Sequence, residues 1–198
     1  MKAAYLPPDP RPRCAWCLKD DLYVAYHDAE WGVPLRDSRD LFAKLMLDGF
    51  QAGLSWHIVL KKRAHILAAF DQFDPERVAG YGEARIEALA ADPQIIRNRA
   101  KIRAAVRNAQ AFLRLEAEAG SFSDFLWQFT GGRSLINPIP NARGPFPATS
   151  PESDAMSKAL RQRGFQFVGS TICYAFMQAV GMVNDHWDGC WRKEGEGG

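Results

Sequence analysis

The chain has 198 residues, 47% of them hydrophobic, and a formal net charge of only +2. That length suits one domain, or one domain with a small lobe, and lets it bury a substantial core, while the near-neutral balance announces no nucleic-acid partner by bulk charge. No apolar run approaches the roughly 20 residues needed to span a bilayer, so no membrane partner is expected.

In chain order, MKAAYLPPDPRPR offers no apolar stretch long enough for a signal peptide, and its prolines predict a loose arm over residues 1–12. A cytoplasmic protein is therefore expected. Four cysteines occur, at 14, 17, 173 and 190, and in a cytosolic chain they read as thiols or metal ligands before disulfides. Aromatic side chains crowd the next stretch: Trp16, Tyr23, Tyr26, Trp31, Phe42, Phe50 and Trp56.

From Asp37-Ser38 onward the spacing is helical, with Leu41, Phe42, Leu45 and Met46 on one face. Asp48 falls three residues after Leu45 and seven after Leu41, so a carboxylate sits on that apolar face. Ser55 predicts the next helix start, with Leu54 and Val59 placed for a hydrophobic staple. Asp74-Pro75-Glu76 is another start, with proline at the first helical position. From Arg99, an apolar stripe runs through Ile102, Ala105, Val106, Ala109, Phe112 and Leu113. Short helices are predicted over Ser121–Phe129, from Ser150-Pro151-Glu152 to Gly164, and over Thr171–Val180. Thr130–Pro151 is rich in glycine and proline and reads as a long connection. With no sustained two-residue alternation, the expectation is an all-α domain over residues 13–192, with a loose tail at 193–198.

Three constellations carry chemistry. Cys14, His27, His186 and Cys190 form a set that could close a tetrahedral zinc site, with the last two placed to face one way on a helical turn. Separate core cysteines and polar histidines are the commoner use of such residues. Aromatic walls suit a planar, electron-poor ligand such as a nucleobase, although core packing is the commoner role of any one ring. Residues 94–114 hold six basic side chains and no acidic one: Arg97, Arg99, Lys101, Arg103, Arg107 and Arg114. A helical hairpin over residues 91–109 would aim amide groups and arginines at a phosphate, but it lacks the usual glycine-rich turn. A solvated helix face explains the charge equally well. Lys101 there could be a Schiff-base nucleophile, and more ordinarily a phosphate-facing cation.

With these pieces assembled, the chain resembles the bacterial 3-methyladenine DNA glycosylase I family, from Arg13 to about Cys190. The likeness is carried by DDLYVAYHDAEWGVPLRDSRDLF, DGFQAGLSW, VLKKR, IIRNRAKI, SPESDAMSKALRQRGFQFVG and TICYAFMQAVGMVNDHWDGC. It implies a helix-hairpin-helix glycosylase fold, with a structural Zn2+ held by Cys14, His27, His186 and Cys190. It implies excision of 3-methyladenine from alkylated double-stranded DNA by a monomer, after flipping of the base, with no lysine nucleophile and no strand cleavage. Trp16, Tyr23, Tyr26, Trp31, Asp48 and Trp56 match positions that line or support the base pocket, with Asp48 and Tyr26 as its catalytic pair. Gln51, Gly53 and Leu54 match the segment facing the duplex gap, and Arg97, Arg99, Lys101 and Arg103 are the expected phosphate contacts. One position departs from the family pattern, which places glutamate where this chain has Asp48, about 1.5 Å longer in reach. That departure leaves a non-catalytic binder of alkylated DNA or free methylated base as the alternative reading.

Overall fold

Side-chain caps begin most helices where the sequence places them, each satisfying amide groups that a helix start leaves unpaired. In the computed structural model, which describes residues 9–193, α1 (Asp21–Ala29) follows Asp20, whose carboxylate accepts from the Tyr23 amide. α2 (Ser38–Gln51) follows Asp37, which accepts from the Arg39 and Asp40 amides. α3 (Trp56–Ala69) starts after Ser55, but that hydroxyl makes no cap bond. Leu54 is 39% exposed, so it stands out from the surface and is not packed away as the expected staple.

α4 (Pro75–Ala79) is capped by Asp74, and α5 (Glu83–Ala91) starts after Gly82. The 21-residue α6 (Arg99–Ala119) is capped by Asn98, which accepts from the Lys101 amide. α7 (Phe122–Trp127) is capped by Ser121. α8 (Pro151–Gln162) opens on a reciprocal box between Ser150 and Ser153, and α9 (Ser170–Ala179) opens at Gly169. The fold is mostly helical. The described residues also hold one parallel pairing of two-residue strands, β1 (Leu135–Ile136) on β2 (Val183–Asn184). That pairing ties the long connection to the chain's last segment.

Two apolar clusters fill the interior. The larger is built on Leu41, Phe42 and Leu45 of α2, the predicted stripe of α6, and Phe176 and Met177 of α9. The smaller gathers Cys14, Tyr23, Tyr26, Trp31, Leu60 and Cys190. Trp56, at the start of α3, packs against both, and the cavity described below lies at this seam.

Residues 11–13 are tied to the rest of the fold. The Trp191 amide donates to the Pro12 carbonyl at 3.0 Å, the Arg11 guanidinium lies 3.7 Å from the Trp191 ring centroid, and buried Arg13 reaches Asp28 at 2.8 Å. The rest of the expected arm and tail, residues 1–8 and 194–198, lies outside the described residues. Among the described residues no helix is long and apolar enough to cross a membrane.

Candidate active site

The cavity, about 240 Å³, is walled by the rings of Trp16, Tyr23, Tyr26, Trp31 and Trp56. A 3-10 turn over Ala15–Cys17 supplies Trp16, α1 supplies both tyrosines, and α3 supplies Trp56. The rings brace one another edge to face: Trp16 lies 5.4 Å from Tyr23 and 5.0 Å from Trp31 between centroids. Tyr26 lies tilted against Trp56 at 5.3 Å. Rings held this way keep their faces available, which suits a flat ligand.

α2 contributes the polar floor. Asp48 is 1% exposed, and its Oδ1 accepts from the Lys44 ammonium at 2.5 Å. Its Oδ2 is buried without any hydrogen-bond partner among the described residues, as is the Trp56 indole nitrogen. Lys44 also lies 4.2 Å from the Trp56 ring centroid. Burial pushes the Asp48 carboxyl above its ordinary range, and the Lys44 charge pulls the other way. Burial likewise lowers the Lys44 ammonium, with Asp48 opposing. Burial holds the Tyr26 phenol well above its usual range, with the Asp48 charge adding to it, so at neutral pH Tyr26 is a hydrogen-bond donor and not a base. A buried acceptor oxygen with no partner costs free energy unless a ligand or water meets it.

The sequence missed part of this site. Lys44 carried a readable signal, since it stands four residues before an acid on one helix. Phe146 and Pro147, from the long connection, and Gln178 of α9 also line the cavity. Nothing local in the sequence marks those three.

A second cluster adjoins the cavity. Cys14, His27, His186 and Cys190 are all buried, and their donor atoms lie within 4.8 Å of one another, so they could hold a metal ion. Cys190 Sγ is 3.5 Å from His27 Nε2 and 3.6 Å from His186 Nδ1. The outer nitrogens are engaged as metal ligands usually have them: His27 Nδ1 meets the Asp28 carboxylate at 2.8 Å, and His186 Nε2 meets the Trp31 carbonyl at 3.1 Å. His186 and Cys190 converge through an irregular turn, closed by the Cys190 amide on the Trp187 carbonyl at 2.7 Å, and not through the helical turn their spacing suggests. Cys17 and Cys173 stand apart, each thiol directed at a backbone carbonyl.

The family model for methyladenine glycosylase matches residues 16–193. The chain belongs to the methyladenine glycosylase family. DNA-3-methyladenine glycosylase 1 of Escherichia coli (strain K12) is 51% identical over 178 residues, 90% of this chain and 95% of that protein. DNA-3-methyladenine glycosylase of Haemophilus influenzae is 47% identical over 178 residues, 90% of this chain and 96% of that protein. A structure of 3-methyladenine DNA glycosylase I from Staphylococcus aureus, described as the structural basis of 3-methyladenine recognition, superposes with a TM-score of 0.89. It is 37% identical, covering 93% of this chain and 97% of that one.

For this methyladenine glycosylase the rim of the cavity is built at the end of α2. The end of α2 turns through Gln51, Ala52, Gly53 and Leu54, with the Leu54 amide donating to the Gln51 carbonyl at 2.6 Å. Ala52 at φ −46°, ψ 119° and Gly53 at φ 77° make a type II turn, whose third residue needs a positive φ and so favours glycine. Gln51 lines the cavity, while Leu54 stands in solvent.

Residues of the expected phosphate face have other partners in the structure. Arg99 is engaged with Glu87 and Arg103 with Glu83, both acids on α5. A guanidinium already paired must give up that contact to meet a phosphate, at a small cost for an exposed pair. Lys101 is not a surface cation: it is buried, and its ammonium donates to the Phe50 and Ala52 carbonyls at 2.8 and 2.5 Å. Burial lowers its pKa. Of the four basic positions expected on this face, Arg97 alone is exposed without such a pairing among the described residues.

The glycine-bearing hairpin that residues 91–109 lack lies between α8 and α9. There Gly164 and Phe167 take positive φ (89° and 56°), and Gly169 opens α9. Asn108 of α6 fastens this hairpin, its side chain bonding both the amide and the carbonyl of Gln166, at 2.7 and 3.0 Å. The hairpin's glycines stand in the segment RGFQFVG, whose first glycine also serves as the expected end of α8.

Proposed function

We propose that this chain is a monofunctional DNA glycosylase that turns 3-methyladenine out of alkylated double-stranded DNA and hydrolyses its glycosidic bond. The observation that carries the reading is the Asp48 oxygen left without a partner at the floor of an aromatic cavity, in a chain whose relatives bear that activity in their names.

The chemistry follows from the residues. A base inside a duplex cannot be reached, so the target nucleotide leaves the stack and enters the cavity. Methylation at N3 gives the base a positive charge, which the ring faces of Trp16, Tyr26 and Trp56 attract more than they attract neutral adenine. Asp48 Oδ2 accepts from the exocyclic amine, and the reach lost relative to glutamate is small enough for one bridging water or a slight shift of the base. The C1′–N9 bond then breaks with its electron pair staying on the base, which leaves neutral. Water adds at C1′ and gives up a proton to solvent. A cationic purine is already a good leaving group, so selective binding and orientation supply most of the acceleration. Lys101 supports hydrolysis without strand cleavage, because its ammonium is buried on two carbonyls and not free to attack the sugar.

On the DNA side, Leu54 enters the gap left by the flipped base. Arg97 and the free amides at the start of α9 take backbone phosphates.

The metal implied for Cys14, His27, His186 and Cys190 is zinc. The observed sulfur–nitrogen separations of 3.5, 3.6 and 3.9 Å are close to the roughly 3.3–3.8 Å edges of a tetrahedron built with zinc bond lengths. Four protein ligands leave no position for an activated water, so its contribution is to folding. It braces the pocket: Trp31 packs against His186 at 4.5 Å between centroids.

Chromatography of the bases freed from methylated duplex DNA tests the reading. Release of 3-methyladenine above the uncatalysed rate is expected. Binding without release would favour the non-catalytic alternative that the shortened acid keeps open.

A further inference from the structure

We propose that Lys101 is a positioning residue: it fixes the turn Gln51–Leu54, and excision from duplex DNA depends on it while binding of the free base does not. The inference rests on the glycosylase reading above.

The last carbonyls of a helix have no partner within it. At the end of α2 the Gln51 carbonyl is taken by the Leu54 amide, and the Phe50 and Ala52 carbonyls on either side are taken by the Lys101 ammonium. A cation at a helix C-terminus also meets the favourable end of the helix dipole. Lys101 sits in the first turn of α6, a different element, so it joins this turn to the body of the fold. The turn has two faces. Gln51 lines the base cavity, and Leu54 projects into solvent. Without the lysine, both carbonyls lose their donor, and no other hydrogen bond among the described residues ties Ala52 to an element outside α2.

The aromatic wall is built elsewhere. Trp16, Tyr23, Tyr26 and Trp56 come from the first turn, α1 and α3, and none is a hydrogen-bond partner of Lys101. A seven-residue step along α6 from Lys101 leads to Asn108, which fastens the α8–α9 hairpin in the same manner. The buried face of α6 thus spends two polar side chains on the backbone of two exposed turns.

The experiment uses the full chain with Lys101→Met, Gly53→Ala and Leu54→Ala, and the doubles of the first two with Leu54→Ala. Gly53→Ala disturbs the turn without touching Lys101, because its φ is +77° and an added Cβ meets nothing within 4 Å; it serves if Lys101→Met fails to fold. Free 3-methyladenine is titrated calorimetrically, and single-turnover excision is measured on a duplex carrying one lesion. Both variants are expected to lower kcat/KM on the duplex by about tenfold or more while changing free-base affinity by less than about twofold. Each double should be barely worse than Leu54→Ala, because the turn acts through Leu54. An equal fall in base binding and excision, an unchanged excision rate, or full additivity with Leu54→Ala would overturn the proposal. Absence of any base release by the parent chain would instead overturn the glycosylase reading itself.

Discussion

Lys44 and Asp48 stand one helical turn apart on α2, and their ammonium and carboxylate meet at 2.5 Å beneath the rings of the cavity. The pair uses one carboxylate oxygen and leaves the other without a partner. Taking both groups out of water is costly, and each opposes the neutralisation that burial imposes on the other.

Lys44 therefore opposes the shift that burial imposes on the acceptor. Burial raises the Asp48 pKa, so the carboxylate gains a proton at a higher pH than an exposed one. Excision should fall on the acid side as this proton is taken up. Lys44→Met removes the opposing charge, and the acid limb should move to higher pH. A single-turnover pH profile checks this, and an unmoved limb would mean that Lys44 does not control Asp48.

The Trp56 ring lies against this polar pair, 4.2 Å from the Lys44 ammonium. Trp56→Ala should weaken binding of free 3-methyladenine by about 1–3 kcal/mol if the ring stacks on the base. Calorimetry on the free base isolates this from any DNA contact. Unchanged affinity would return Trp56 to the role of joining the two apolar clusters.

The helices were legible in the sequence because caps and periodicity are local. Asp37, Asp74 and Ser150 start helices where their spacing places them, and the stripe from Ile102 to Phe112 is buried as expected. The resemblance also pointed to Asp48 and the five cavity rings, all of which line one cavity. The surroundings of the charges were less legible, for a physical reason. A run of basic residues says nothing about partners on another helix, and Glu83 and Glu87 lie on α5, facing Arg103 and Arg99. The inward course of Lys101 was equally invisible, because its partners are backbone carbonyls some fifty residues away. Phe146 reaches the cavity from a connection whose path no local rule describes.

The cations should now differ in their effect on DNA affinity. Arg97→Ala is expected to weaken binding to any duplex and to reduce the salt slope by about one unit. Arg99→Ala should change it less, since its guanidinium is already held by Glu87. Binding isotherms at several salt concentrations compare them. Slopes unchanged from the parent in both variants would put the phosphate face elsewhere, and an equal reduction in both would make Arg99 a phosphate contact as well.

Metal removal should act on stability before chemistry. Cys190→Ser is expected to lower the Tm by more than about 10 °C and to reduce the bound zinc measured by elemental analysis. A variant that folds with unchanged Tm but releases no base would give the metal a chemical role that a site closed by four ligands does not supply.

The central claim is that Asp48 recognises the flipped base. The direct measurement is single-turnover release of 3-methyladenine from a duplex with one lesion, by the parent chain and by Asp48→Asn side by side. Asparagine keeps the size but loses the charge and the second acceptor oxygen. Release by the parent is expected, with a loss of about tenfold or more in the variant, or about 1.4 kcal/mol or more of transition-state stabilisation. Equal rates for the two proteins would contradict it.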